Sequence, residues 1–176
     1  MVVVIAIVIC SFDLLVATGM ISRFPTINES SPTWLFVGAY VTYSGTTTLG
    51  GNITVKDQIV TFNSLKVELL TYSLADGIQN QSTSWDPYSS AGINNTAGET
   101  LISKTNTARL IGGTNGKVYQ VNAVAWRDSR NNTITDYFVG SESWPIEETA
   151  IGSGAYQFIS YDIFLVGTNI PGLTLA

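Results

Sequence analysis

The first 21 residues constrain this chain more than any other segment. They read MVVVIAIVICSFDLLVATGMI, and Asp13 is the single charged side chain among them. An apolar stretch of about 20 residues matches the roughly 30 Å hydrocarbon core of a bilayer at 1.5 Å per helical residue. Such a stretch must be buried, in lipid or against protein. A secretory signal opens on a basic region, whereas here the apolar run begins at residue 1. Three readings of the segment follow. It is a plain anchor or uncleaved signal with Arg23 at its boundary; it is an apolar helix kept after removal of a basic leader; or it is an extended tail. Val2, Val3, Val4, Ile5, Ile7, Val8 and Ile9 are β-branched and suit a strand that completes a neighbour's sheet. Against the tail, the run is far longer than a strand of about 5 to 10 residues. Leu14, Leu15, Ala17 and Met20 also favour a helix. A helix over residues 1–24 is therefore the expectation. On that helix Asp13 shares a face with Ile9, Cys10 and Ala17, none of which can neutralise it. Its carboxyl must be protonated or paired with a group from another chain.

A leader cut on the N-terminal side of a retained apolar stretch is the mark of class III signal peptides. In this respect residues 1–24 resemble the start of the type IV pilin superfamily, which includes archaeal pilins and archaellins. The chain departs from the bacterial members at the fifth residue, where Ile5 stands in place of glutamate. The resemblance implies a subunit held in the membrane before assembly and then packed with copies of itself in an extracellular helical filament. The residues it places in the filament core, or in an anchor, are Val2, Val3, Val4, Ile5, Val8, Ile9, Phe12, Asp13, Leu14, Leu15, Val16 and Met20. The extended-tail reading resembles, more weakly, the donor-strand subunits of archaeal threads.

Residues 24–32 (FPTINESSP) carry two prolines among small polar residues, which stop a helix by about Phe24. Residues 25–32 therefore read as a linker and 33–176 as one outer domain. Aromatic and β-branched residues over 33–43 predict a central strand. Residues 52–62 and 64–72 follow as strands, the second with Leu65, Val67 and Leu69 alternating against Lys66 and Glu68. Residues 74–98, rich in Ser, Asn and Gly around Trp85 and Tyr88, read as a long loop. Strands are expected again at 100–111, 117–126, 133–139 and 156–166. Seven to nine strands with short polar turns predict an antiparallel, Ig-like β-sandwich behind the N-terminal helix, a mainly β protein.

Composition removes most chemistry. The chain has no histidine and one cysteine, so His-dependent triads, His-ligated zinc, intrachain disulfides and CxxC sites are excluded. A net charge of −5 opposes contact with nucleic acid. Asp57, Glu68, Asp136, Glu147, Glu148 and Asp162 are the carboxylates from which a glycosidase pair would be drawn. Without a supporting motif they read as solvated strand and turn charges. Residues 113–117 (GTNGK) lack phosphate-loop spacing. No enzyme, cofactor or metal is expected. The motif N-x-[ST] recurs at Asn28, Asn52, Asn80, Asn94 and Asn131, each in a segment read as loop, turn or strand edge. N-linked glycans on these asparagines would hydrate a surface with only 12% charged residues. A surface of Ser, Thr and Asn also keeps its character in acid, because it does not titrate.

Overall fold

The computed structural model describes residues 32–89, 92–93, 100–112, 116–152 and 160–176. The chain divides into residues 1–31 and a compact unit, Pro32–Ala176. The expected helix over 1–24 and its boundary with a linker lie outside the described residues. Among the described residues there is no helix; there are ten strands.

The strands are β1 (Tyr40–Thr47), β2 (Asn52–Phe62), β3 (Lys66–Ala75), β4 (Ile78–Ser89), β5 (Gly92–Ile93), β6 (Thr100–Ile111), β7 (Lys117–Arg127), β8 (Thr133–Val139), β9 (Glu147–Ile151) and β10 (Tyr161–Thr168). They form one sheet in the order β5-β4-β3-β2-β1-β10-β9-β8-β7-β6, antiparallel throughout and curled into a half-barrel. The expected Ig-like sandwich is thereby corrected. Strands β1–β5 and β6–β10 each form a meander of neighbours, and the first and last strands join the two meanders at the centre. Every neighbour is hydrogen-bonded to the next, so among the described residues no second sheet is left to stack on the first. The outermost strands are β5 and β6, and β5 covers only Tyr88 and Ser89 of β4.

Two other expectations change. The strand expected at 33–43 begins only at Tyr40. Residues 33–39 form turns, with Gly38 at φ 87°, a left-handed conformation that a strand does not tolerate. The loop expected at 74–98 contains β4, a strand of 12 residues. Both faces of β4 meet water from Ile78 to Trp85, so its sequence shows none of the apolar alternation that marks half-buried strands.

Two apolar clusters hold the sheet, and the pleat puts them on opposite faces. Val41, Tyr43, Ile59, Val67, Leu69, Ile163 and Leu165 pack with Trp34, Leu35, Trp144 and Ile170. Ile111, Val121 and Ile146 pack with Tyr119, Tyr137, Val139 and Phe164. Ile163 and Leu165 point to one side of β10 and Phe164 to the other, because successive side chains alternate. β10 is thus the strand at which the covered face changes. It is paired tightly with β1: a Cβ on Gly45 would lie 1.9 Å from the Asp162 carbonyl oxygen.

Antiparallel alternation gives the sheet two ends. The entry end holds residues 32–39, the start of β1, the end of β10 and the C-terminal residues 169–176. The far end holds the β1–β2 turn, the β3–β4 turn, the β7–β8 turn and the start of β6.

Candidate functional site

The carboxylates noted in the sequence separate into two clusters, one on each face. On the face of Phe164, Glu147 is 1% exposed and receives a two-pronged contact from Arg109, Nε to Oε2 at 2.5 Å and Nη2 to Oε1 at 2.6 Å. Arg109 belongs to β6 and Glu147 to β9, with two strands between them. Three strand spacings are roughly 14 Å on a flat sheet, so this contact requires the sheet to curl towards that face. The guanidinium also lies over the Tyr137 ring, 3.9 Å from its centroid. Asp162, on the neighbouring β10, adds a second carboxyl. Burial pushes it up to about 6; the Glu147 charge and hydrogen bond act in the same direction, and Arg109 acts against them. Its Oδ1 is buried with no hydrogen-bond partner. The hydrogen bond to Glu147 holds the Arg109 guanidinium protonated.

On the opposite face, Tyr161 donates its hydroxyl to Glu148 Oε1, and Asp136 sits across from Glu148 in the β8–β9 register. Tyr43 donates to the Pro145 carbonyl at 3.0 Å. Asp57 accepts from the Thr71 hydroxyl at 2.6 Å. Burial raises the Tyr43 and Tyr161 phenols well above their ordinary value, with Glu148, Asp57 and Asp136 adding to the effect. Burial raises Asp57 too, against the Thr71 hydrogen bond. Glu68 on β3 belongs to neither group. Glu147 therefore corrects the expectation of solvated charges, since it is a buried ion-pair partner. The signal that could have located it is Arg109, one of only 8 basic residues in the chain. The spacing of 38 residues hid the pair.

What these clusters do chemically is tie strands together. Glu147, Glu148 and Asp57 accept from Arg109, Tyr161 and Thr71, and among the described residues no group of three ligating side chains is arranged to hold a metal ion.

The glycan-acceptor asparagines are arranged differently. Asn52 opens β2, Asn80 is third in β4, and Asn131 lies in the β7–β8 turn; all three are exposed. Asn131 takes φ 67°, and its amide donates to the Asp128 carbonyl at 3.0 Å. Asp128 organises that turn. Its carboxylate accepts from the Arg130 and Asn132 amides and the Asn132 side chain, which outweighs desolvation and lowers its pKa. Asn28, Asn94 and every N-terminal core residue from Val2 to Met20 lie outside the described residues. A feature the sequence reading missed is the aromatic group at the entry end. Trp34 and Trp144 meet edge to face at 6.4 Å, with Tyr88 against Trp34 at 6.0 Å.

The chain matches no protein-family profile and no curated protein.

Proposed function

We propose that this protein is a structural subunit of an extracellular, archaeal-type surface filament, assembled from copies of itself through the apolar N-terminal segment. The observation that carries the reading is the run of residues 1–21, interrupted by one charge and joined to a separate compact β unit. An apolar segment of this length has to be buried. A membrane store followed by a helical assembly of like segments buries it at both stages. The β unit is then the outer part of the subunit, and whether the filament serves adhesion or motility is a property of that unit's surface. Glu147, Glu148 and Asp57 are engaged with Arg109, Tyr161 and Thr71 as structural ties, which supports a structural role for them.

A second reading has its own observation. Residues 78–87 of β4 and the whole of β6 present one unpaired strand edge each among the described residues. Unpaired edges accept an added strand, so the β-branched residues 2–9 of a neighbour could enter as a donor strand. A third arrangement is a monomer anchored at the cell envelope by the same segment.

Mass spectrometry of the native N-terminus together with negative-stain microscopy of the surface fraction separates the three. Filaments that dissociate in detergent to monomers are expected for packed apolar segments. Filaments that resist detergent until heated indicate donated strands. Membrane-bound protein without filaments removes the filament reading.

A further inference from the structure

We infer that Asn52, Asn80 and Asn131 carry N-linked oligosaccharides and that these glycans form one rim at the end of the sheet opposite the chain's entry. The inference rests on the exported, surface-displayed reading above.

The sequence supplies five acceptor motifs but says nothing of where they lie relative to one another. The topology does. Asn52 follows the β1–β2 turn, Asn80 follows the β3–β4 turn, and Asn131 is within the β7–β8 turn. These three turns are at the far end by the antiparallel register, where Thr47 faces Tyr161, Ala75 faces Ile78 and Arg127 faces Thr133. Pro32, the turns of 33–39 and the C-terminal tail are at the other end. Crossing the sheet, Asn80 and Asn52 are two strands apart, about 10 Å, and Asn131 is four to five strands beyond, about 20 Å.

Four other described asparagines show what the rim is distinguished from. Asn63 and Asn169 lie at the entry end and spend their side chains on backbone. Asn63 accepts from the Leu65 and Lys66 amides, and Asn169 accepts from the Tyr40 amide and donates to the Gly38 carbonyl. Asn132 is buried against Asp128, and Asn122 donates to the Gly140 carbonyl. Asn63, Asn122 and Asn169 belong to no acceptor motif, and Asn132 is the middle residue of the Asn131 motif, not its acceptor. Of the five acceptor asparagines, the three among the described residues thus all lie at one end.

The strand geometry suits the reaction. On β2 and β4 the motif's asparagine and its hydroxyl residue are two apart, so Asn52 with Thr54 and Asn80 with Ser82 stand on the same face. The donor is a lipid-linked oligosaccharide, a sugar on polyprenyl phosphate or diphosphate. The Asn Nδ2 forms a bond to the sugar's C1 and loses one proton. The C1–O bond breaks, and its electron pair leaves with the lipid phosphate.

One consequence concerns the free edge of β4. A glycan on Asn80 stands near the start of residues 78–87, the stretch that β5 leaves uncovered. It would obstruct pairing with another strand there. No acceptor motif lies within β6, Thr100–Ile111, so no glycan of its own would obstruct pairing there.

The test begins with shaving of intact cells by a non-specific protease, to establish that the protein is at the surface. Native protein is then digested and its peptides are mapped by mass spectrometry. Glycopeptides containing Asn52, Asn80 and Asn131 are expected, and Asn52→Gln, Asn80→Gln and Asn131→Gln should each lower the native mass by one glycan. Surface protein whose three peptides are all unmodified overturns the proposal while leaving the surface reading intact. Modification confined to Asn28 or Asn94 overturns the rim. Protein that shaving never reaches overturns the surface reading and the proposal with it.

Discussion

Asp162 is the side chain with the clearest consequence in solution. Its folded pKa of about 6 lies above the ordinary 3.8, so the folded protein binds a proton there more tightly than the unfolded chain does. The stabilisation from that proton is fully present below about pH 4 and is lost as pH rises through 6. Two pKa units correspond to about 3 kcal/mol, and because Asp162 is only half-buried, solvent screening reduces this to about 1 kcal/mol. Melting temperature should therefore fall between pH 4 and pH 7. Asp162→Asn should flatten that part of the profile; an unchanged slope would remove Asp162 as the cause. Asp57 is raised in the same direction by its burial and steepens the same trend. Arg109 makes the complementary case. Arg109→Ala leaves Glu147 charged and buried, which costs about 3 kcal/mol. Denaturant unfolding of Arg109→Ala beside the Arg109→Ala, Glu147→Gln double variant checks this, and the double variant should recover part of the loss.

At the scale of elements, the β1–β10 pair decides whether there is one sheet or two ribbons. The ladder runs from Val41–Thr168 to Thr47–Tyr161, with a register shift between Thr42 and Tyr43. Gly45 sits inside it because only a residue without a Cβ allows the Asp162 carbonyl so near. Gly45→Ala should destabilise the domain by about 2 kcal/mol or more, since the obstacle is backbone and must shift. Thermal unfolding measures it, and a wild-type midpoint would mean that the ladder relaxes freely. The elements also show which strands are legible. The expected ranges of β2, β6, β7 and β8 agree with the strands to within a residue, and of these β7 shows alternation of buried and exposed positions around Val121 and Ala123. β9 is not legible in the sequence, because Glu147–Ile151 is short and opens on two acids whose partners are remote in sequence. β4 is polar because an outer strand exposed on both faces needs no apolar side chains.

For the whole molecule, the relevant question is whether Pro32–Ala176 folds without the N-terminal segment. Among the described residues its apolar clusters join strands of this unit, and each strand from β1 to β4 and β7 to β10 has a neighbour on both sides, in full or, for β4, in part. A fragment of residues 32–176 should be soluble, with a circular dichroism spectrum dominated by strand. A spectrum with substantial helix would contradict the fold. A fragment that aggregates unless a peptide of residues 1–12 is added would favour the donated-strand arrangement.

The sequence by itself determined that the domain is β, that histidine chemistry is absent, and that residues 1–21 are an apolar run with one charge. These follow from local periodicity and composition, which a linear chain displays directly. Only the tertiary structure decided between a sandwich and a single curled sheet, because strand order depends on which distant strands pair, and β1 meets β10 across more than 110 residues. It alone brought Arg109 to Glu147 and Asp162, since a salt bridge across two intervening strands leaves no spacing signature. It alone gathered Asn52, Asn80 and Asn131 at one end, because whether a turn lies at one end or the other is set by the direction of its strands in the finished sheet.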